Sequence, residues 1–235
     1  QSFGRTKSVD ESCVPGVLKQ IEYYTNLQES QKYMAPAKQT LFFIWGGGND
    51  IFDNIAKLES YFSKDLPHVL HQLRLYYETG KSMPVSSHVV LSHPIQNLKE
   101  AVMRLESTGA MPNQIYVFTL PDLSTTPMVR EMAGDPQSIK GKIILAAAKA
   151  LSYGYDFDLK ETLKGTGLAA SHVIPVASMF RTILKQESAT KKDITDGCAQ
   201  QAQGFTTCGN YAFYDEKHPT YTTEQYFTNQ LMGYL

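Results

Sequence analysis

Thr40-Leu41-Phe42-Phe43-Ile44-Trp45-Gly46-Gly47-Gly48-Asn49-Asp50 sets the fold class. From Leu41 to Trp45 the run is continuously apolar, without the polar alternation of a strand that shows one face to water. Such a run suits a strand buried on both faces, as in a parallel sheet. Glycine then stops it, because three successive residues without a Cβ favour a sharp turn over further pairing.

Working outward, Ile115-Tyr116-Val117-Phe118-Thr119-Leu120 is a second run of the same kind. His172-Val173-Ile174-Pro175-Val176 is a third, which Pro175 restricts to an edge or a strand end because proline has no N–H to give to a ladder. Helical spacing surrounds these runs. Val17, Leu18, Ile21 and Tyr24 predict a helix from Val17 to about Ser30. Leu98, Ala101, Val102 and Leu105 predict another from His93-Pro94 to near Gly109, and good helix formers fill Ile139 to Leu151. Ala177 to Lys185 and Thr223 to Leu231 also read as helices, Tyr211 to Tyr214 is strand-like, and Val85 to Leu91 is a short strand or a loop. Buried strands alternating with helices predict an α/β sandwich around a mainly parallel sheet, with the functional loops beyond the carboxyl ends of the strands. Repeats and glycine- or proline-rich linkers are absent, so residues 1–235 read as one domain.

Lysine plus arginine (22) nearly cancel aspartate plus glutamate (23), leaving no field that would hold nucleic acid or an anionic membrane. No apolar run approaches the roughly 20 residues of a membrane-spanning helix. The amino terminus lacks the apolar core of a signal peptide, so the chain reads as soluble and already processed. Of the three cysteines, Cys198 and Cys208 bracket a polar loop and either close it as a disulfide or stay as two thiols in a reducing compartment. Cys13 is then left over, as a buried free thiol or as a bond to polypeptide outside this sequence.

Two loops carry residues suited to chemistry. In Gly46-Gly47-Gly48-Asn49-Asp50 the backbone can approach a ligand closely, and the Asn49 amide can donate to a developing oxyanion. The same residues would also serve as a glycine turn with a capping Asn or Asp. In Asp215-Glu216-Lys217-His218-Pro219-Thr220 the three-residue spacing lets the carboxylate meet the imidazole, fix its tautomer and support it as a proton acceptor. A solvated loop with an Asp215–Lys217 pair is the plainer alternative. The remaining histidines lack ligand spacing: His68 and His71 fit a helix surface, His88 and His93 flank a loop, and His172 precedes a strand. No metal or cofactor is expected. Tyr23-Tyr24 and Tyr76-Tyr77 fit half-buried packing better than a substrate groove.

Taken in this order, the two loops resemble motifs of the SGNH hydrolase family, also called GDSL lipases and acylhydrolases. Trp45-Gly46-Gly47-Gly48-Asn49-Asp50 resembles the block that supplies the oxyanion-hole asparagine, and Asp215-x-x-His218 resembles the block that carries two members of the catalytic triad. Thr119-Leu120-Pro121-Asp122-Leu123-Ser124-Thr125-Thr126-Pro127 is similar to the Leu-Pro-Pro-Leu-Gly-x-x-Pro stretch of some members. Cys198 and Cys208 are similar to a cysteine pair of secreted relatives. The resemblance implies a three-layer, flavodoxin-like α/β/α sandwich and a secreted or extracytoplasmic ester hydrolase. Its substrate would be a lipid or an acetylated carbohydrate. The site would be His218 and Asp215, with an oxyanion hole drawn from Asn49, Gly47, Gly4 and Arg5.

The family's Gly-Asp-Ser nucleophile motif does not occur in this sequence. Ser2-Phe3-Gly4-Arg5-Thr6-Lys7-Ser8 followed by Val14-Pro15-Gly16-Val17 resembles the family's second block, which lies after the nucleophile, and Arg5 stands where a second glycine is usual. Ser8 and Ser12 sit in a polar stretch with no strand before them. The resemblance thus implies that the first strand and its serine belong to a companion segment, with Cys13 as a possible tether. Without that central strand, neighbouring backbone groups would stay unpaired at about 1–3 kcal/mol each. The second reading of the same features is a non-catalytic binding or storage protein on this scaffold.

Overall fold

The computed structural model describes residues 15–30, 36–51, 92–201 and 205–235. Gly4, Arg5, Cys13, His68, His71, Tyr76, Tyr77, His88 and the 85–91 segment lie outside the described residues. Strands β1 (Phe42–Trp45), β2 (Ile115–Phe118) and β3 (Val173–Ile174) form a parallel sheet in the order β1-β2-β3. Phe42 lies opposite Ile115 and Trp45 opposite Phe118, while Val117 and Phe118 face Val173 and Ile174. All four β2 residues are buried, as a central strand apolar on both faces requires. In β1 only Ile44 is buried, and Phe43 and Trp45 keep 47% and 51% of their surface exposed.

Both later strands stop earlier than their apolar runs, and Thr119 and Pro175 explain why. The Thr119 N–H donates to the Ile174 carbonyl at 3.0 Å, but the Val176 N–H donates to the Thr119 hydroxyl at 3.0 Å instead of continuing the ladder. Pro175, with no N–H, becomes the cap from which the next helix starts.

The helices are α1 (Val17–Glu29), α2 (Ser92–Ser107), α3 (Pro127–Ala133), α4 (Ile139–Leu163), α5 (Val176–Ala189) and α6 (Tyr221–Leu231). Helix α4 continues well past the expected end at Leu151 because Tyr155, Leu159 and Leu163 carry its buried stripe onward. Gly154 sits inside it, where packing overrides its poor helix propensity. At its start the Ser138 hydroxyl accepts the Gly141 N–H at 3.0 Å.

Ile44, Ile115 and Val117 share one core with Ile21, Leu98, Val102, Leu151 and Tyr155 from α1, α2 and α4. Tyr116, Phe118 and Ile174 instead meet Met179 of α5, with Phe227 and Leu231 of α6 packed against them. The molecule is therefore a mixed α/β protein dominated by helices. Among the described residues no helix is long and apolar enough to cross a membrane.

A second, two-stranded parallel sheet joins β4 (Asp193–Gly197) to β5 (Tyr211–Phe213). The Asp-Ile-Thr-Asp-Gly sequence of β4 lacks a strand pattern, and the sequence reading contained neither this strand nor α3. A Cys198–Cys208 disulfide, with Cα atoms 5.4 Å apart, closes the connection between the two strands.

Candidate active site

Strand β5 delivers the chain into the turn that holds Asp215 and His218. Phe213 makes an antiparallel bridge to Pro219, the Tyr214 N–H donates to the His218 carbonyl at 2.8 Å, and the Thr220 N–H donates to the Ala212 carbonyl at 2.9 Å. The loop therefore folds back on the strand that leads into it. Inside the turn, Asp215 Oδ1 accepts the N–H groups of Lys217 at 2.8 Å and His218 at 2.7 Å. Its other oxygen, Oδ2, lies 2.8 Å from His218 Nδ1. This is the meeting of carboxylate and imidazole that the three-residue spacing predicts.

The carboxylate is one-third exposed and the imidazole about three-quarters exposed. Burial alone would raise the Asp215 carboxyl. The His218 N–H, the His218 ring, the Lys217 N–H and the charge of that ring together outweigh burial and hold it below its ordinary value. With a carboxylate at Nδ1, the neutral ring keeps its proton there and presents Nε2 as a base.

Three anchors fix this turn to the rest of the molecule. The Met128 N–H, in the first turn of α3, donates to the Glu216 carbonyl at 3.0 Å. Gly197, the last residue of β4, lies so close to Asp215 that an added Cβ would come within 2.7 to 2.9 Å of its backbone atoms. Thr223, two residues into α6 from Tyr221, places its hydroxyl 2.9 Å from the Ala212 carbonyl and 2.9 and 3.0 Å from the two oxygens of Glu187. Glu187 is buried and ion-paired with Lys192 at 2.9 Å, so a charged pair in the interior holds the start of α6. Sequence reading missed Gly197, Thr223 and Glu187, since each acts through a partner distant along the chain.

The other loop leaves the carboxyl end of β1. Gly47 adopts a left-handed φ of +91°, and a helix opens at residue 48, so Asn49 and Asp50 occupy its first turn, both exposed. The fully buried Tyr155 lies under the turn, and its hydroxyl donates to the Gly46 carbonyl at 3.2 Å. A Cβ on Gly47 would stand 2.4 Å from that hydroxyl. Burial, with a smaller contribution from the Asp50 charge, pushes the Tyr155 phenol far above its ordinary value, so it remains a neutral donor.

The segment that leaves the carboxyl end of β2 passes near the Gly46–Asp50 loop and bonds to the Asp215–Thr220 turn. A Cβ on Gly48 would lie 3.9 Å from Leu120 Cδ2, and Met128, farther along the same segment, holds Glu216. Trp45, the last residue of β1, stacks on Phe227 of α6 with ring centroids 5.7 Å apart. Asn49 thus lies just beyond the carboxyl end of β1, while the Asp215–His218 pair follows β5 of the second sheet and is held by α3.

Other residues take structural parts. His172 Nδ1 lies 3.0 Å from the Ile115 carbonyl and its ring stacks on Tyr116 at 4.4 Å. Tyr24 packs edge-on against Phe42 with centroids 5.2 Å apart, and Tyr23 lies beneath Lys19. Among the described residues no group of His, Cys, Asp and Glu is arranged to hold a metal ion. No protein-family model matches this sequence, and no curated protein matches it.

Proposed function

We propose that the chain carries the base, the orienting acid and the oxyanion donors of an SGNH-type serine ester hydrolase. The observation that carries this reading is the 2.8 Å contact between Asp215 Oδ2 and His218 Nδ1 on an exposed ring. A serine hydroxyl supplied by a companion segment attacks the ester carbonyl of a lipid or an acetylated carbohydrate. His218 Nε2 takes the proton and returns it to the departing alkoxide. Asp215 holds the imidazolium, and Asn49 with the backbone near Gly47, Gly4 and Arg5 donates to the tetrahedral oxyanion. Water then attacks the acyl-serine by the same route in reverse. No step needs a cofactor.

Because β1, β2 and β3 pair directly, they leave no gap between them for the central strand that the resemblance implies. The companion strand would therefore pair with the outer edge of β1 and complete a three-layer sandwich. In support of that place, β1 meets no strand on its outer side among the described residues, and its Phe43 and Trp45 remain half-exposed. Secretion is supported by the Cys198–Cys208 disulfide, a bond at home in oxidising compartments.

The test uses the protein with any segment that copurifies with it. A fluorophosphonate probe is expected to label one serine, and His218→Ala is expected to abolish labelling and to lower p-nitrophenyl acetate hydrolysis by about 10³-fold or more. Mass spectra with and without reductant are expected to show the labelled serine on a companion chain. No label on any serine, or unchanged labelling in His218→Ala, would reject the proposal and favour a binding protein.

A further inference from the structure

Tyr155 of α4 is fully buried beneath the Gly46–Asp50 turn, in one core with Ile21 of α1 and Leu98 of α2. A phenylalanine would fill that space as well, so packing does not account for the hydroxyl, which needs a partner once it is buried. Its partner is the Gly46 carbonyl, to which it donates at 3.2 Å. Burial keeps the phenol neutral and therefore a donor.

The carbonyl of Gly46 and the N–H of Gly47 belong to one trans peptide unit, in which the two groups point in opposite directions. With the carbonyl turned toward the buried ring, the Gly47 N–H faces away from it. The inner side of this turn is closely packed. A Cβ on Gly47 would stand 2.4 Å from the Tyr155 hydroxyl and 3.2 Å from Pro94 Cβ of α2, and one on Gly46 would stand 3.0 Å from Val17 of α1. The Gly47 carbonyl accepts the Ile51 N–H at 3.2 Å, but the Gly47 N–H donates to no group among the described residues. A peptide unit flanked by two glycines turns over easily, because neither residue has a Cβ to restrict it. The Tyr155 bond decides which way this one faces.

We propose that Tyr155 is a positioning residue of the oxyanion hole, holding the Gly46 carbonyl inward so that the Gly47 N–H stands outward as a fixed donor to the tetrahedral oxyanion. Resting on the hydrolase reading above, this role prepares the electrostatic site before charge develops in it. Tyr155 itself is too deeply buried to touch substrate, and it acts through the peptide that it orients.

Tyr155→Phe removes one oxygen and leaves the ring, and Ile144→Val, in the same helix and core, serves as the control for lost stability. In p-nitrophenyl acetate hydrolysis by the protein with any copurifying segment, Tyr155→Phe is expected to lower kcat about tenfold or more and to change KM less than about twofold. Ile144→Val is expected to keep kcat within about twofold of the parent at a similar loss of stability. Independently of turnover, the 15N order parameter of the Gly47 amide is expected to fall from about 0.85 in the parent to about 0.6 or below in Tyr155→Phe alone. An unchanged kcat or order parameter in Tyr155→Phe, a loss carried by KM, or an equal loss of kcat in Ile144→Val would overturn the proposal. A parent protein without turnover sinks the hydrolase reading and this role together, whereas a parent with turnover and an unaffected Tyr155→Phe sinks this role alone.

Discussion

The turn from Asp215 to Thr220 and the turn from Gly46 to Asp50 both hold polar side chains in place, by opposite means. The first is fixed by bonds it makes: Asp215 accepts two backbone N–H groups and faces the imidazole, and Met128 and Ala212 tie the loop at either side. The second is fixed by side chains it lacks, with Gly47 lying against the Tyr155 hydroxyl in a conformation that a Cβ would strain. A bonded turn tolerates a change of side chain as long as its donors and acceptors survive. A turn shaped by missing atoms tolerates almost none.

The largest effect on stability is therefore expected at Gly47. Gly47→Ala places a methyl group against a fully buried ring that has nowhere to move, at a φ unfavourable to L residues. The change is expected to cost about 3 kcal/mol in chemical denaturation, from overpacking and backbone strain together. Adding Tyr155→Phe sharpens the test, because it removes the atom that clashes and leaves the backbone strain. The double variant is expected to recover about 1 kcal/mol of that loss. A loss below about 0.5 kcal/mol for Gly47→Ala would mean that the two turns are not built differently.

Gly197→Ala probes the other turn through its supporting strand. The new methyl meets the Asp215 backbone, which its own bonds keep from yielding freely, so the expected destabilisation is about 2 kcal/mol. If the proposed hydrolysis is correct, turnover falls further than stability does. A displacement of Asp215 by even about 1 Å would misplace the imidazole and cost on the order of 10²-fold in rate. A variant with normal turnover and reduced stability would separate the dyad from its strand.

What the sequence revealed follows the same division. Asp215 and His218 are three residues apart, a spacing that allowed their contact beside the alternative of an Asp215–Lys217 pair. The apolar runs gave β1 and β2, although only β2 is buried on both faces as such a run predicts, and β1 buries Ile44 alone. Strand β4 escaped because Asp-Ile-Thr-Asp-Gly owes its pairing to β5 and to Asp193's own turn, neither visible in hydrophobic periodicity. Tyr155 supports Gly46 from a helix 109 positions away, and Thr223 reaches Glu187 across 36 positions. Local spacing carries no trace of such contacts.

The smallest expected effect tests whether the bonded turn depends on charge or only on shape. Folding lowers the Asp215 carboxyl below its ordinary value of 3.8, so the native state binds its proton less readily than the unfolded chain. The stabilisation from this group is fully present above that ordinary value and is lost as pH falls through the lower folded value. Asp215→Asn keeps the side chain's shape and removes its charge. The stability gap between the parent and this variant is expected to stay constant above about pH 5 and to narrow steadily below pH 4. Because the carboxylate is one-third exposed, solvent screening keeps the gap small. The two backbone N–H groups that the amide oxygen can still accept make it smaller again. Denaturation curves at pH 3, 4, 5 and 7 read the change, and a gap that widened on acidification would show that the carboxylate is not the form the turn selects.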